Sequence, residues 1–157
     1  MNDKLNSFMN KKNHDFIKAV IASLMWTLLT SLFGLTQVWV TIVVSYVRID
    51  KSYSFWAAFQ DGSLLFFVMA LVTAITIDYN FSENLQIPQA LRSLVFTVTP
   101  LIIGILSIGV YVSLYTADEG QLDYESLANI QIIIIILTWL YALGAKFLIF
   151  FNKEPDK

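Results

Sequence analysis

From Val20 to Val47 the chain runs for 28 residues without a charged side chain. As a helix rising ~1.5 Å per residue, that stretch is longer than a ~30 Å hydrocarbon core. Inside a bilayer no water is present to satisfy backbone amides, so a helix is the conformation open to it. The stretch is not uniformly apolar. Ser23, Thr27, Thr30, Ser31, Gly34, Gln37, Thr41 and Ser45 fall within about 120° of one helix face, and only Thr36 lies opposite. Hydroxyls gain nothing from acyl chains, so this face is expected to meet protein or water.

Composition agrees with a membrane protein. The 157 residues are 57% hydrophobic and only 14% charged, against about 25% in soluble domains. Three further apolar segments follow. The second span is read as 61–79, with Asp61 and Asp78 near its ends and the aromatic group Tyr53 to Phe59 before it at the interface. The third is read as 90–115; Pro88 suits its start, and Pro100 inside it should kink the helix and free a carbonyl near Phe96. The fourth is read as 128–151, with Lys146 able to snorkel from its last turns to the interface. The expected fold is therefore an all-α integral membrane bundle of four transmembrane helices, filling residues 20–151. Short connections make sequential helices antiparallel.

Charge orients the bundle. The N-terminal arm, the second loop and the C-terminal end carry Lys4, Lys11, Lys12, Lys18, Arg92, Lys146, Lys153 and Lys157, while the other two loops carry only Arg48 and Lys51. Eight basic residues against two place both termini in the cytoplasm of a bacterial inner membrane. The first apolar segment is about twice the length of a signal-peptide core and reads as a retained anchor. Residues 1–19 form a basic arm, read either as an amphipathic helix on the inner surface, with Leu5, Phe8, Met9 and Phe16 on one face, or as a loosely ordered tail. Residues 152–157 are a short cytoplasmic tail.

The chemistry is sparse. Cysteine is absent, which removes disulfides, thiolate metal sites and thiol nucleophiles. His14 is the single histidine, so a bis-histidine haem or a histidine metal cluster within one chain is excluded. No phosphate-cradling glycine loop, zinc motif or Ser–His pair is present, and the chain is read as no enzyme, without cofactor or metal.

Two readings of the first-span face stand side by side. Ser23, Thr27 and Ser31 form a small-xxx-small series suited to close helix packing. The length of the face, and the amide of Gln37, suit instead the lining of a pore. A second polar row, Ser93, Thr97, Pro100, Gly104, Ser107 and Tyr111, runs along the third span. A weaker one, Gln131, Thr138, Ala142 and Ala145, runs along the fourth. Four helices do not readily surround a pore and still pack, so a conducting path belongs on the axis of a homo-oligomer, with the first span facing it. Asp61 either caps the second span or joins Arg48 and Lys51 at a pore mouth. Asp78 and Glu83 are expected to pair with Arg92. Lys4, Lys11, Lys12 and Lys18 are candidates for contact with a cytoplasmic anion or nucleotide, with anionic lipid as the plainer partner.

The glutamate that small multidrug-resistance exporters carry in their first span is absent, as is the glycine- and asparagine-rich signature of small fluoride channels. In size, cysteine-free four-span layout and polar helix faces, the chain resembles the small multi-span membrane effectors of bacterial anti-phage systems, including the Hailong-type channel effector. That resemblance implies an oligomeric ion channel that depolarises the membrane under control of a nucleotide or oligonucleotide, and it transfers no residue roles. The alternatives are a non-catalytic membrane subunit whose rows pack on a partner protein, and a small transporter using Asp61 or Asp78.

Overall fold

Between Asn2 and Phe33 there is neither proline nor glycine, so nothing ends a helix that starts near the N-terminus. The computed structural model, which describes residues 2–47, 62–82, 85–116 and 123–152, has one continuous helix there, α1, Asn2–Gly34. The basic arm is thus the first part of this same helix and not a separate surface helix or a loose tail. Phe16 already packs edge-on against Phe147 and Phe151, at centroid distances of 5.3 and 6.2 Å.

The long first apolar stretch divides in two. α1 ends at Gly34, and α2 occupies Thr36–Val47. The chain is not broken between them: the Leu35 amide donates to the Ser31 carbonyl at 2.9 Å, and the Trp39 amide to the Leu35 carbonyl at 3.1 Å. The Thr36 hydroxyl donates to the Phe33 carbonyl and competes with the regular ladder at this point. Within α1, Asn13–Gly34 is long and apolar enough to cross a membrane.

Three more helices are long and apolar enough to cross a membrane. They are α3, Ser63–Phe81, α4, Gln89–Thr116, and α5, Tyr124–Asn152. Among the described residues all regular structure is helical. Sequential helices run antiparallel, as their side chains record: Gly34 abuts Phe67, Phe66 meets Tyr111, and Tyr79 stacks on Phe96. The starts of α1 and α4 and the ends of α3 and α5 thus share one end of the bundle, here called the terminal end.

α3 lies at the centre. Val68, Leu71 and Ile75 are fully buried, spaced to recur on one face. α5 buries a seam with coiled-coil spacing, Leu127, Gln131, Ile134, Thr138, Tyr141 and Ala145. Outward-facing Leu, Ile, Val and Phe cover the remaining surface, as lipid contact requires.

Local signals account for the helix ends and their irregularities. α5 begins four residues before its apolar run because Asp123 caps it. The Asp123 carboxylate accepts from the amides of Glu125 and Ser126 at 3.1 and 3.4 Å and from the Ser126 hydroxyl. These donors hold its carboxyl below the usual carboxylate range, the Ser126 hydroxyl foremost. A depressed folded-state pKa means the cap contributes above the ordinary carboxylate pKa and is lost as pH falls through the lowered value. Hydrogen exchange at the Glu125 and Ser126 amides is therefore expected to accelerate in Asp123→Ala, and in the parent protein on acidification. Unchanged protection in Asp123→Ala would refute the cap.

In α4 the proline is met by a specific device. Pro100 has no amide to donate to Phe96, and the turn before it widens into a π-helix at Leu94–Val98. The Thr99 amide reaches back five residues to the Leu94 carbonyl, which also accepts the Thr99 hydroxyl at 3.0 Å.

Gly34 marks the tightest contact between α1 and α3. A Cβ there would lie 2.6 Å from Cδ2 of Phe67, a buried ring. Gly34→Ala is expected to lower stability by about 1–2 kcal/mol through overpacking, despite its better helix propensity. Thermal unfolding in detergent measures this; a stabilised variant would show that the ring yields freely.

Candidate functional site

The polar face of the first stretch is shared between two environments. Ala19, Ser23, Thr27 and Ser31, each four residues after the last, are all buried inside the bundle. Thr30 is half-buried, and Thr36 is exposed on the other side. Phe16 against Phe147 and Phe151 sets an antiparallel register between α1 and α5. Continued at equal rise, that register brings Ser23 level with Ala142, Thr27 with Thr138 and Ser31 with Ile134. Small residues on both helices let the backbones approach. The lower half of the row is thus occupied in packing within one subunit, which is the small-xxx-small reading.

The hydroxyls in this seam are served unequally. Ser23, Ser107 and Thr138 donate to carbonyls three or four residues back, at 2.9, 2.8 and 2.7 Å. The Thr27 and Ser31 hydroxyl oxygens and the Tyr141 phenol are buried without a hydrogen-bond partner among the described residues. Gln131 and Thr138, on the row that looked weakest in the sequence, are the most completely enclosed polar residues of α5.

The upper half of the row, Gln37, Thr41 and Ser45, lies on α2; the structure describes the backbone there but not those three side chains. Spaced by four, they form one row. Val38 packs toward Leu64 and Ala128, whereas Trp39, Val40, Val43, Val44, Tyr46 and Val47 are exposed. Arg48, Lys51 and Asp61, the expected mouth, and Glu83 lie outside the described residues, as do the side chains of Lys4, Lys11 and Lys12. Lys18 is exposed.

The row on α4 does not hold together. Gly104 and Ser107 are buried, but Ser93 and Thr97 are exposed. On a straight α-helix these four share a face. The π-helix at Leu94–Val98 inserts an extra residue into the turn and breaks this alignment, with Ser93 just before it and Thr97 within it both exposed.

The acidic residue of the second span also has a different partner. Asp78 pairs with Lys146, not with Arg92. Lys146 is only 4% exposed, so it does not snorkel. Side chains on a helix lean toward its N-terminus, and the interface nearest Lys146 lies toward the C-terminus of α5. Its lean is therefore away from that interface, and its place among Trp26, Phe150 and Asp78 encloses it. Its ammonium sits 3.9 Å from the Trp26 ring centroid and 5.3 Å from that of Phe150, with the Asp78 carboxylate as counter-charge. The ion pair joins α3 to α5, and Trp26 adds α1. Gly62 and Tyr79, also unmarked in the sequence, take on positions of consequence. Gly62 precedes α3 with φ of 71°, and Tyr79 holds Arg92.

Arg92 donates from Nε to the Tyr79 hydroxyl, and its guanidinium lies 5.1 Å from that ring's centroid. Tyr79 is in turn stacked on buried Phe96, 4.1 Å apart and nearly parallel. Beside them is a cleft of about 440 Å³ lined by Tyr79, Ile87, Gln89, Arg92, Ser93 and Thr97. Among the described residues no three His, Cys, Asp or Glu side chains gather as metal ligands. No protein family, curated protein or solved structure matches the chain.

Proposed function

We propose that this multi-pass membrane protein is an ion channel assembled from several copies of the chain, with both termini in the cytoplasm. The observation that carries the reading is the change of surroundings past Leu35, from buried to largely exposed. It separates a half-row consumed by packing, Ser23 to Ser31, from a half-row on α2, Gln37, Thr41 and Ser45. Most described side chains of α2 are exposed and apolar. A polar row on such a helix is best accommodated when copies bring their rows together around a water-filled axis. The lining thus narrows from eight positions to these three, with Arg48, Lys51 and Asp61 as the mouth. Ligand-gated depolarisation of a bacterial inner membrane is the finer form of this proposal, and its support is the likeness of plan to the anti-phage effectors.

Planar-bilayer recording of the purified protein tests it. Gln37→Leu and Thr41→Val are expected to lower unit conductance severalfold, while Thr27→Val leaves it unchanged. Absence of conductance under every gating condition, together with row variants that behave as the parent, would refute the channel. A stable hetero-complex with no homo-oligomer would point instead to the membrane-subunit reading.

The buried ion pair favours one second reading, a transporter in which Asp78 exchanges Lys146 for a cationic substrate or proton. Loss of substrate-dependent proton flux in Asp78→Asn, with assembly intact, would support it; retained flux would dismiss it.

A further inference from the structure

The cleft beside Arg92 is explained by neither the packing seam nor the α2 row. Its cation is unusually well prepared. Nε is engaged by the Tyr79 hydroxyl, and Tyr79 is held by its stack on Phe96. That leaves the two terminal nitrogens of the guanidinium as a fork of N–H donors, the geometry that matches a phosphate group. No carboxylate among the described residues pairs with Arg92, because Asp78 is committed to Lys146. The π-helix turns Ser93 and Thr97 toward the same cleft, where Gln89 adds an amide. Three uncharged polar side chains around an arginine that has no carboxylate partner among the described residues are a poor way to face acyl chains and a good way to hold a phosphate oxygen cluster.

We propose that this cleft binds a phosphate group, that of an anionic phospholipid. The choice of lipid over a soluble phosphate ester rests on the walls. Leu91, Leu94 and Val98 of the same stretch are exposed on the bundle's apolar surface. A lipid whose phosphate meets Arg92 can lay its chains along them, whereas a soluble ester leaves them uncovered. The site lies at the terminal end, where headgroups of the adjoining leaflet are found. Binding of this kind stands apart from the conduction proposal, since its readout is lipid retention.

The test is native mass spectrometry of the intact protein, purified in detergent and equilibrated with equimolar phosphatidylglycerol and phosphatidylcholine. The parent is expected to retain phosphatidylglycerol over phosphatidylcholine by about fivefold, the effect of one interfacial basic residue. Arg92→Gln should abolish the preference, and Arg92→Lys should restore only part of it, because a lysine lacks the fork. Tyr79→Phe keeps the ring stack but releases Nε, and should weaken retention without unfolding the bundle; it serves if Arg92→Gln fails to fold. Ser113→Ala, at an exposed position toward the other end of the bundle, should change nothing. No preference in the parent, or a preference unaltered by both Arg92→Lys and Tyr79→Phe, overturns the site. Displacement of bound phosphatidylglycerol by millimolar inorganic phosphate overturns the choice of lipid and assigns the cleft to a soluble phosphate.

Discussion

Replacing Asp78 with asparagine is expected to destabilise the bundle by about 3 kcal/mol, more than removal of its partner Lys146. The asymmetry follows from where the two charges sit. The Lys146 side chain is 4% exposed and that of Asp78 40%. Without Asp78, the ammonium stays enclosed against Trp26 and Phe150 with no counter-charge. Cation–π attraction, about 2 kcal/mol for a desolvated cation, offsets only part of that desolvation. In Lys146→Met the orphaned carboxylate has an opening toward the interface, and the thioether chain fills much of the same volume, so a loss of about 1 kcal/mol is expected. The double variant Asp78→Asn/Lys146→Met should recover most of the deficit, since no unpaired charge remains inside. Unfolding in detergent, read as a double-mutant cycle, measures all three. Equal single-variant effects, or a double variant worse than either, would show that the pair is not enclosed as described.

Gly62→Val is the second change expected to cost heavily, about 2–3 kcal/mol. Two penalties coincide at this residue. Its φ of 71° is in the left-handed region, where a β-branched residue is strained. A Cβ would also lie 3.0 Å from Cδ1 of Leu114 and 3.3 Å from the Tyr111 ring, at the join of α3 and α4. Gly62 accepts the Leu65 amide at 3.0 Å as α3 starts, so relaxing φ would misdirect the first turn of the central helix. Gly62→Ala should cost about 1–2 kcal/mol. Making Gly62→Ala in a Leu114→Ala background separates the causes: the closer of the two steric contacts disappears and the conformational part remains. A penalty that vanishes wholly in that background would mean the backbone is not strained.

Several features were legible in the sequence because they depend on a single helix. Pro100 disturbs α4 whatever surrounds it, since a missing amide is a local fact, and the structure meets it with a π-helix. Ser23, Thr27 and Ser31 announced a face able to pack closely, and they do so. The Asp123 cap is also written locally, with a serine three residues on. The pairing of Asp78 was misassigned for a different reason. Arg92 is near in the chain and Lys146 is 68 residues away, and nothing local ranks the distant partner first.

The sequence by itself determined that the chain is helical, with four helices long and apolar enough to cross a membrane. Hydropathy, helix length and the cost of an unsatisfied backbone in lipid suffice for that. Only the tertiary structure decided what each polar side chain meets. Neighbouring residues on a helix differ by about 100° in direction, so one inserted residue at Leu94–Val98 breaks the alignment of exposed Ser93 and Thr97 with buried Ser107. The lean of side chains toward the helix N-terminus carries Lys146 away from the nearby interface, and the face of α5 that meets α3 encloses it against Asp78. The antiparallel register of α1 and α5 seals Ser23 to Ser31 inside and leaves Gln37, Thr41 and Ser45 on the separate helix α2. Rotation, lean and register are relations between helices, and hydropathy along one strand of sequence contains none of them.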